Sequence, residues 1–215
     1  MYFAIEGVIG VGKTTLARML QPVFDAELVL EVFEENPFLS NFYSDRSRYA
    51  FQTQIFFLLS RYHQQRRNIS DRLGSVGMLI SDYTFEKDAL FARLNLKGDE
   101  LDMYYTVQEA LAEKIIPPDL IVYLRASTDT LMRRIAMRDR PYERQMERSY
   151  IASLNEAYDD YFSNFSHKSR ILTIETDGMN FVGIQQDFDR IAGQIREVLS
   201  QPPMQPQLPI AQTED

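Results

Sequence analysis

The N-terminal stretch constrains the fold of this chain more than any other, because an apolar run, Tyr2–Glu6, passes through a glycine-rich loop into a helical pattern. The loop reads GVIGVGKT and matches the spacing G-x-x-x-x-G-K-[ST] from Gly7 to Thr14. Glycines let the backbone adopt positive φ and approach a ligand, and N–H groups at the start of a helix then face an anion. The order of strand, loop and helix therefore predicts a site for the phosphates of a nucleoside triphosphate.

Two side chains of this loop have expected tasks of their own. Lys13 is expected to reach the β- and γ-phosphates, and the hydroxyl of Thr14 to bind Mg²⁺. We expect the ATP-binding segment to comprise Gly7, Val8, Ile9, Gly10, Val11, Gly12, Lys13, Thr14 and Thr15. The motif predicts a triphosphate site but no reaction, so the acceptor has to be inferred from other residues.

Short apolar runs alternate with helical patterns along the rest of the chain. The predicted strands are Tyr2–Glu6, Glu27–Glu31, Val76–Asp82, Leu120–Leu124 and Arg170–Ile174. The predicted helices are Thr14–Leu20, Tyr49–Asn68, Glu86–Leu94, Glu100–Ile115, Thr128–Arg138, Ser149–Phe165 and Phe181–Leu199. This alternation predicts an α/β fold of three layers, in which helices cover both faces of a five-stranded parallel sheet.

Length and charge limit the domain count and the partners. With 215 residues, 45% of them hydrophobic, the chain fits one domain over 1–199, followed by a disordered Pro- and Gln-rich tail over 200–215. A formal charge of −8 argues against a nucleic-acid partner, which needs a basic face. No apolar run approaches the ~20 residues that span a bilayer, so no membrane association is expected. The lack of an export signal and of cysteine is compatible with the cytoplasm.

Glu31, in LEVFEENPFL, stands at the carboxyl end of the second predicted strand, where ligands bind in open α/β sheets. A carboxylate facing a γ-phosphate is unfavourable unless it has a task, and one task is to accept the proton of an attacking hydroxyl. A phosphate acceptor is already ionised and would be repelled. Glu31 therefore favours an alcohol as acceptor, although Glu34 and Glu35 compete for this role and a solvated acidic loop is the alternative.

A polar side chain interrupts the apolar face of the long helix that begins RYAFQTQIFFLL. Gln52 lies among Phe51, Ile55 and Phe56, and its amide offers a donor and an acceptor together, which suits the edge of a nucleobase. The alternative is a helix residue bonded to a neighbouring loop.

Arginines cluster near the end of the helix predicted over Thr128–Arg138. Arg134 and Arg138 are four residues apart and share a face, and Arg140 follows. Such a run suits a lid, about 138–148, that stabilises charge on a moving phosphoryl group and excludes water. A solvated helix face is the alternative. We expect Arg133 and Arg144, and likewise His63 and His167, to be surface residues.

Several segments together resemble the deoxyribonucleoside kinase family, most of all its bacterial deoxyadenosine/deoxyguanosine kinase branch. They are EGVIGVGKTT, EVFEENPF, RYAFQTQ, SDYTFEKDALFA, RRIAMRDRPYE and TDG, in family order up to about Leu199. The resemblance implies a P-loop kinase fold, a homodimer formed through long helices, and transfer of the ATP γ-phosphate to the 5′-hydroxyl of a deoxynucleoside with Mg²⁺.

The resemblance also implies roles around the nucleoside. Glu31 would be the base acting on the 5′-hydroxyl, Gln52 would bond the base edge, and Phe91 would stack on the base. Phe51 would line the pocket, and Asp88 would lie near the exocyclic groups of the base.

Further roles are implied at the sugar and the donor. Tyr43 and Glu143 would hold the 3′-hydroxyl. The segment ETDGMNFVGI resembles the loop that covers the adenine of the donor, so Asp177 is a candidate for ATP binding, with a plain Asp-Gly turn as the alternative. The lid arginines would be Arg134, Arg138 and Arg140.

One position departs from the family pattern. Members usually carry an acidic residue followed by arginine at the end of the third strand, where this chain has Asp82 and Tyr83. Asp82 keeps the carboxylate for Mg²⁺, but Tyr83 supplies no cation, so either another arginine substitutes or the contact is absent.

Two rival functions would each need a feature of their own. A thymidylate-kinase-like nucleotide kinase would need arginines that clasp an acceptor phosphate near the second and third strands, where Glu31 and Tyr83 are unsuitable. A nucleotide-dependent switch would need a guanine-reading N-K-x-D motif, and the sequence contains none.

Overall fold

A computed structural model of the protein describes residues 1–32, 35–164 and 169–202. The strands of this part of the chain are β1 (Tyr2–Glu6), β2 (Glu27–Val29), β3 (Leu79–Ser81), β4 (Leu120–Arg125) and β5 (Arg170–Glu175). They form one five-stranded sheet in the order β2-β3-β1-β4-β5, and every neighbouring pair is parallel. The predicted parallel sheet is therefore confirmed, with β2 and β3 shorter than the sequence pattern indicates.

Helices connect the strands. They are α1 (Lys13–Phe24), α2 (Leu39–Ser44), α3 (Arg46–Gln65), α4 (Lys87–Asn95), α5 (Asp99–Ala112), α6 (Thr128–Arg138), α7 (Arg148–Asn164) and α8 (Gln185–Ser200). A π-helical turn, Arg66–Ser70, extends α3, and a 3₁₀ turn, Pro141–Glu143, follows α6. The short helix α2 and the 3₁₀ turn were not predicted, because elements this short carry too few residues for a periodic pattern.

The central strand β1 is buried on both faces. Alternate side chains of a strand point to opposite faces, and Phe3 and Ile5 enter the main hydrophobic core. Tyr2 and Ala4 enter a second, smaller cluster together with Tyr83. Helices thus cover both faces of the sheet, as the alternation of elements predicts.

The order of the strands defines where a ligand can bind. Strand β1 lies between β3 and β4, so the chain leaves its carboxyl end at a point where the connections run to opposite sides of the sheet. Ligands of open α/β sheets bind in the crevice at such a point. The glycine-rich loop follows β1 there, and Asp82 follows β3 directly.

Some expectations concern the chain's exterior. In the described part of the chain, no helix is long and apolar enough to cross a membrane. His63, Arg133 and Arg144 are exposed, as predicted. Glu34, His167 and positions 203–215 of the predicted tail lie outside the described residues.

Candidate active site

The glycine-rich loop is seated tightly against β4 and α6. Gly7 and Gly10 adopt φ of +145° and +87°. A Cβ atom at Gly7 would lie 2.4 Å from the carbonyl oxygen of Leu124, and one at Gly10 would lie 2.7 Å from Cγ1 of Ile135. Both positions therefore require glycine, because φ is positive and because a Cβ atom would be too close to its neighbours.

Lys13 is the first residue of α1, and its side chain folds back over the loop. Its Nζ donates to the carbonyl oxygens of Gly7 at 2.6 Å and Val8 at 3.2 Å. Burial, followed by the nearby charge of Lys87, lowers the pKa of Lys13 to about 8. A polyphosphate in the loop would compensate both effects and hold the ammonium charged.

Glu6 fixes the loop to the segment after β3. It is completely buried, and its Oε1 accepts a hydrogen bond from the N–H of Gly7 at 3.0 Å. Its Oε2 accepts from the N–H of Thr84 at 2.9 Å and from the Thr84 hydroxyl at 3.0 Å. Sequence reasoning assigned Glu6 no role, although a carboxylate ending an otherwise apolar buried strand is a detectable signal.

The two predicted magnesium ligands lie together. The hydroxyl of Thr14 donates to Oδ2 of Asp82 at 2.5 Å, and Oδ1 of Asp82 accepts from the N–H of Glu31 at 2.7 Å. Residues 1–32, 35–164 and 169–202 contain no cluster of three or more acidic or histidine side chains that could hold a metal without a substrate. One hydroxyl and one carboxylate nevertheless suit Mg²⁺, which usually binds one or two carboxylates together with substrate phosphates and water.

A cavity opens at this edge of the sheet, between the phosphate loop, α3, α4 and the segment after α6. Five of its lining side chains are basic and four are acidic, so the cavity can accept a polyanion although the whole chain carries −8. The lining residues are Ile9, Gly10, Lys13, Thr14, Glu31, Leu39, Phe42, Tyr43, Thr53, Gln54, Phe57, Arg61, Asp82, Lys87, Asp88, Phe91, Arg138, Arg140, Tyr142 and Glu143.

One face of α3 forms a wall of this cavity. Gln54 and Arg61 are buried on it, and the Oε1 atom of Gln54 has no hydrogen-bond partner among the described residues. The prediction of Gln52 at this wall was wrong, because Gln52 is exposed. Successive side chains of a helix are about 100° apart around its axis, so Gln52 lies on nearly the opposite face from Gln54. Phe51 likewise packs against the hydrophobic core outside the cavity, and Phe57 lines it instead.

Glu31 is held by two cations inside the cavity. Arg61 Nη2 donates to its Oε1 at 2.5 Å, and Lys87 Nζ donates to its Oε2 at 2.6 Å. Burial would raise the pKa of Glu31, but the charges of Arg61 and Lys87 together lower it to about 2. Glu35, its predicted competitor, is exposed. Of these two carboxylates, Glu31 is the one that faces the phosphate loop.

Arg61 also contacts the carboxylate of Asp88 through Nη1. Asp88 is 1% exposed, and burial raises its pKa to about 6, although Arg61 and Lys87 act in the opposite direction. One guanidinium is therefore shared by two buried carboxylates, of which Asp88 titrates closer to neutral pH.

The cavity is closed on its other side by residues after α6. Arg138 donates from Nη2 to both carboxylate oxygens of the buried Glu143 at 2.7 Å. Nη1 of Arg140 lies 3.7 Å from Oε1 of Glu143. The rings of Tyr43 and Tyr142 stack beside them with centroids 6.0 Å apart. Tyr43 and Glu143 therefore meet at one wall.

Arg134 and Asp177 lie apart from the cavity. Arg134 donates to the carbonyl oxygens of Val11 at 3.1 Å and Thr176 at 2.8 Å, and so joins the phosphate loop to the segment after β5. The carboxylate of Asp177 accepts from the N–H and the hydroxyl of Ser127, each at 2.9 Å, ahead of helix α6. In the described structure both side chains hold loops in place.

Comparison with known proteins assigns the chain to a family. The sequence model described as deoxynucleoside kinase matches residues 3–200. The chain belongs to the deoxynucleoside kinase family. It is 36% identical over 202 residues to deoxyguanosine kinase of Bacillus subtilis (strain 168), which covers 92% of this chain and 97% of the relative. It is 34% identical over 178 residues to deoxyadenosine kinase of Dictyostelium discoideum, over 80% of this chain and 71% of the relative.

Solved structures share the fold. The deoxyadenosine kinase from M. mycoides with bound dCTP superposes with a TM-score of 0.79 at 23% identity, over 92% of this chain and 100% of that chain. The structure of the same enzyme with bound dATP gives a TM-score of 0.79 at 23% identity, over 91% and 100%. The P-loop kinase fold inferred from the sequence is confirmed.

Tyr83 occupies the position at which this kinase family usually carries arginine. Its side chain is completely buried in the second cluster, with Tyr2 and Leu79, and it is not among the residues that line the cavity. The cations at Glu31 come instead from Arg61 on α3 and Lys87 on α4. Arg61 is thus an arginine from another element beside Glu31, and Lys87 is a second cation that the sequence did not lead us to expect there.

Proposed function

We propose that this kinase transfers the γ-phosphoryl group of ATP to the 5′-hydroxyl of a deoxyribonucleoside, preferably deoxyadenosine or deoxyguanosine, and so supplies deoxynucleoside 5′-monophosphate for salvage. The observation that carries the proposal is the position of Glu31. Its carboxylate lies in the cavity between the phosphate loop and the α3 wall that contains Gln54. The relatives named deoxyguanosine kinase and deoxyadenosine kinase support the purine preference.

The donor end of the cavity suits ATP with Mg²⁺. The loop from Gly7 to Thr15 would bind the phosphates through its N–H groups, and Lys13 would move from the loop carbonyls to the β- and γ-phosphates. Thr14 and Asp82 would hold the metal, either directly or through water. Mg²⁺ supplies charge neutralisation on the phosphates when it is bound.

The acceptor end suits an alcohol. As the bond from the 5′-oxygen to phosphorus forms, the bond from phosphorus to the bridging oxygen of ADP breaks and the hydroxyl proton passes to Glu31. A carboxylate with a pKa of about 2 is a weak base. That is sufficient in a loose phosphoryl-transfer transition state, in which catalysis is mainly positioning and charge stabilisation. Glu31 first orients the hydroxyl and then takes its proton.

The nucleobase would lie against the α3 wall. Gln54 offers an amide donor and an acceptor, and its buried Oε1 atom lacks a hydrogen-bond partner in the described part of the chain. Phe57 and Phe91 provide aromatic surface in the same cavity, and Asp88 would face the exocyclic groups of the base. Gln54 thus takes the role first expected of Gln52.

The sugar and the lid complete the site. Tyr43 and Glu143 would bind the 3′-hydroxyl, while Arg138 and Arg140 of the segment 138–148 would close over the transferred phosphoryl group. Arg138 is paired with Glu143 in the described structure. Closure would therefore separate them, with Arg138 contacting the phosphoryl group and Glu143 the sugar. Arg134 would support catalysis by holding the phosphate loop, and the segment around Asp177 would cover the adenine of ATP.

The rivals are less well supported by the site. A nucleoside monophosphate would place a second phosphate beside the carboxylates of Glu31, Asp82 and Asp88, which a nucleotide kinase site would avoid. The family match favours an enzyme over a nucleotide switch.

An ADP-release assay with deoxyadenosine, deoxyguanosine, deoxycytidine and thymidine in parallel tests the proposal, with deoxyadenosine monophosphate as the rival acceptor. We expect ADP release with the purine deoxynucleosides at the highest kcat/KM and none that depends on the monophosphate. Turnover confined to the monophosphate, or ATP binding without any nucleoside-dependent release, would contradict the proposal.

We also propose that the kinase is a cytoplasmic homodimer that pairs through the outer face of α3. Leu59 is an exposed large hydrophobic residue, and Phe56 and His63 line the same outer groove. Sedimentation velocity at micromolar concentration tests the dimer, and Leu59→Lys is expected to shift the protein towards the monomer.

A further inference from the structure

Lys87 is an unusual residue for its position in the fold. It is the first residue of α4, it is 5% exposed, and its Nζ atom lies 2.6 Å from Oε2 of Glu31. A buried ammonium loses its hydration, and the N-terminal end of a helix disfavours a positive charge. Residues that break such local rules are found most often at functional sites.

Lys87 supplies the second positive charge beside Glu31 and Asp88, which share Arg61, but the two cations differ in the donors that they leave for a ligand. Arg61 contacts Asp88 through Nη1 and Glu31 through Nη2, so that both ends of its planar guanidinium are fixed. The ammonium of Lys87 carries three donors. Among the residues of the described structure, Glu31 is the one to which it donates. Lys87 therefore keeps hydrogen-bonding capacity for a ligand, whereas Nη1 and Nη2 of Arg61 are each engaged by a carboxylate.

The surroundings of Lys87 place its ammonium beside the reacting groups. It lines the cavity and lies 5.9 Å from the ring centroid of Phe91. Lys13 lines the same cavity, and the charge of Lys87 contributes to the lowered pKa of Lys13. The cation thus shares one cavity with the carboxylate at the acceptor end and with the lysine at the donor end.

We propose that Lys87 is a catalytic residue for phosphoryl transfer: it holds the acceptor oxygen at Glu31 and then donates a hydrogen bond to an oxygen of the transferred phosphoryl group. It takes the place of the arginine that the family usually carries at the position of Tyr83. This inference rests on the proposed function, because it needs an alcohol acceptor in the cavity.

Phosphoryl transfer changes the charges around Lys87 in a defined order. The oxygen–phosphorus bond to the acceptor forms, the bond to the bridging oxygen of ADP breaks, and Glu31 receives the hydroxyl proton. Once Glu31 is neutral, its attraction for Lys87 falls, and the ammonium turns to an oxygen of the transferred phosphoryl group. Lys87 keeps its own proton throughout and supplies charge stabilisation where negative charge develops.

The test compares Lys87→Met, which keeps an unbranched apolar stem, with Lys87→Arg, which keeps the charge. Lys97→Met is the matched control, since Lys97 is exposed just after α4. For Lys87→Met we expect kcat to fall about 10²–10³-fold, as when a transition-state donor is removed, while the nucleoside Kd from calorimetry is unchanged. Lys87→Arg should keep most of the kcat that Lys87→Met loses, and Lys97→Met should behave as the wild-type protein.

Wild-type kcat in Lys87→Met overturns the inference, and so does an equal loss of kcat in Lys87→Arg. A weakened nucleoside Kd that accounts for the whole loss of kcat/KM would mean that Lys87 contributes to nucleoside binding and not to the chemical step, which contradicts the inference. Failure of the proposed function looks different, because the wild-type protein would then release no ADP with any deoxynucleoside.

A measurement on the unaltered protein covers the case in which Lys87→Met does not melt cooperatively. In lysine-¹⁵N-labelled protein, with Lys87→Arg used for assignment, the Lys87 Nζ resonance should shift further with deoxynucleoside monophosphate than with deoxynucleoside. Equal shifts for the two ligands would contradict a contact with the transferred group.

Discussion

Gln54 and Gln52 lie two residues apart on α3 and face opposite environments. Gln54 is 2% exposed at the cavity wall, whereas Gln52 is exposed. Loss of a hydrogen-bonding partner in a buried site costs about 1–3 kcal/mol, so Gln54→Ala should raise the KM for the nucleoside about 5- to 150-fold. Gln52→Ala provides the matched control and should leave KM unchanged. Steady-state ADP release measures both, and equal effects of the two variants would remove Gln54 from the nucleobase site.

Glu31→Gln should abolish most turnover while the nucleoside still binds. The amide keeps the shape of the side chain but cannot take the hydroxyl proton, and general bases contribute about 10²–10⁴-fold to rate. We therefore expect kcat to fall by that factor with the nucleoside Kd unchanged. Glu35→Gln is the control, because Glu35 lies four residues further along and is exposed. Normal turnover of Glu31→Gln would show that the base has been assigned wrongly.

The fold could be predicted from the sequence because each of its layers leaves a local signal. The apolar runs of β1 and β4 and the glycine-rich loop are such signals, and Glu31 and Asp82 could be placed at the site because they follow strands. The sequence could not separate Gln52 from Gln54, since an error of two residues in the phase of α3 exchanges its faces. Lys87 was missed because a lysine at the start of a helix resembles a solvated surface residue until Glu31 is placed beside it.

Asp88 should make the free energy of unfolding depend on pH at values above the range in which ordinary carboxylates titrate. Burial raises its pKa to about 6 in the folded protein, against 3.8 for an unperturbed aspartate. The folded state therefore binds a proton that the unfolded state does not, and stability from this group is gained as pH falls through 6 and lost as pH rises through it. A difference of about two units limits the effect to about 3 kcal/mol.

Urea unfolding between pH 7 and 4.5 measures this contribution. Wild-type protein should gain stability relative to Asp88→Asn as pH decreases, because the asparagine does not titrate. Asp99→Asn, which removes an exposed carboxylate from the start of α5, should show no such relative change. Parallel pH profiles of wild type and Asp88→Asn would mean that the pKa of Asp88 is not raised.

Gly10 and Gly193 should respond oppositely to alanine. At Gly10, φ is +87° and the new Cβ would lie 2.7 Å from Cγ1 of Ile135, so Gly10→Ala should cost about 1–3 kcal/mol in unfolding free energy. Gly193 is exposed within α8, and a Cβ there meets no atom within 4 Å in the described structure. Alanine is the better helix former, so Gly193→Ala should stabilise the protein by about 0.5–1 kcal/mol. Chemical denaturation of both variants is the measurement, and stabilisation by Gly10→Ala would contradict the tight seating of the phosphate loop.

Variants of Arg138 and Arg144 can distinguish a catalytic lid from a solvated cluster of arginines. Arg138 pairs with the buried Glu143 at the cavity, whereas Arg144 pairs with the exposed Asp139. An arginine that stabilises a transferred phosphoryl group is worth about 10³-fold or more in rate, so Arg138→Ala should lower kcat by that order. Arg144→Ala should leave kcat unchanged, because exposed ion pairs contribute little. Rapid-quench measurement of a single turnover isolates the chemical step from product release. If Arg138→Ala lowers the melting temperature but leaves that step unchanged, the pair with Glu143 only stabilises the fold, and the charge on the phosphoryl group must be balanced by the cations at Glu31 and Lys13.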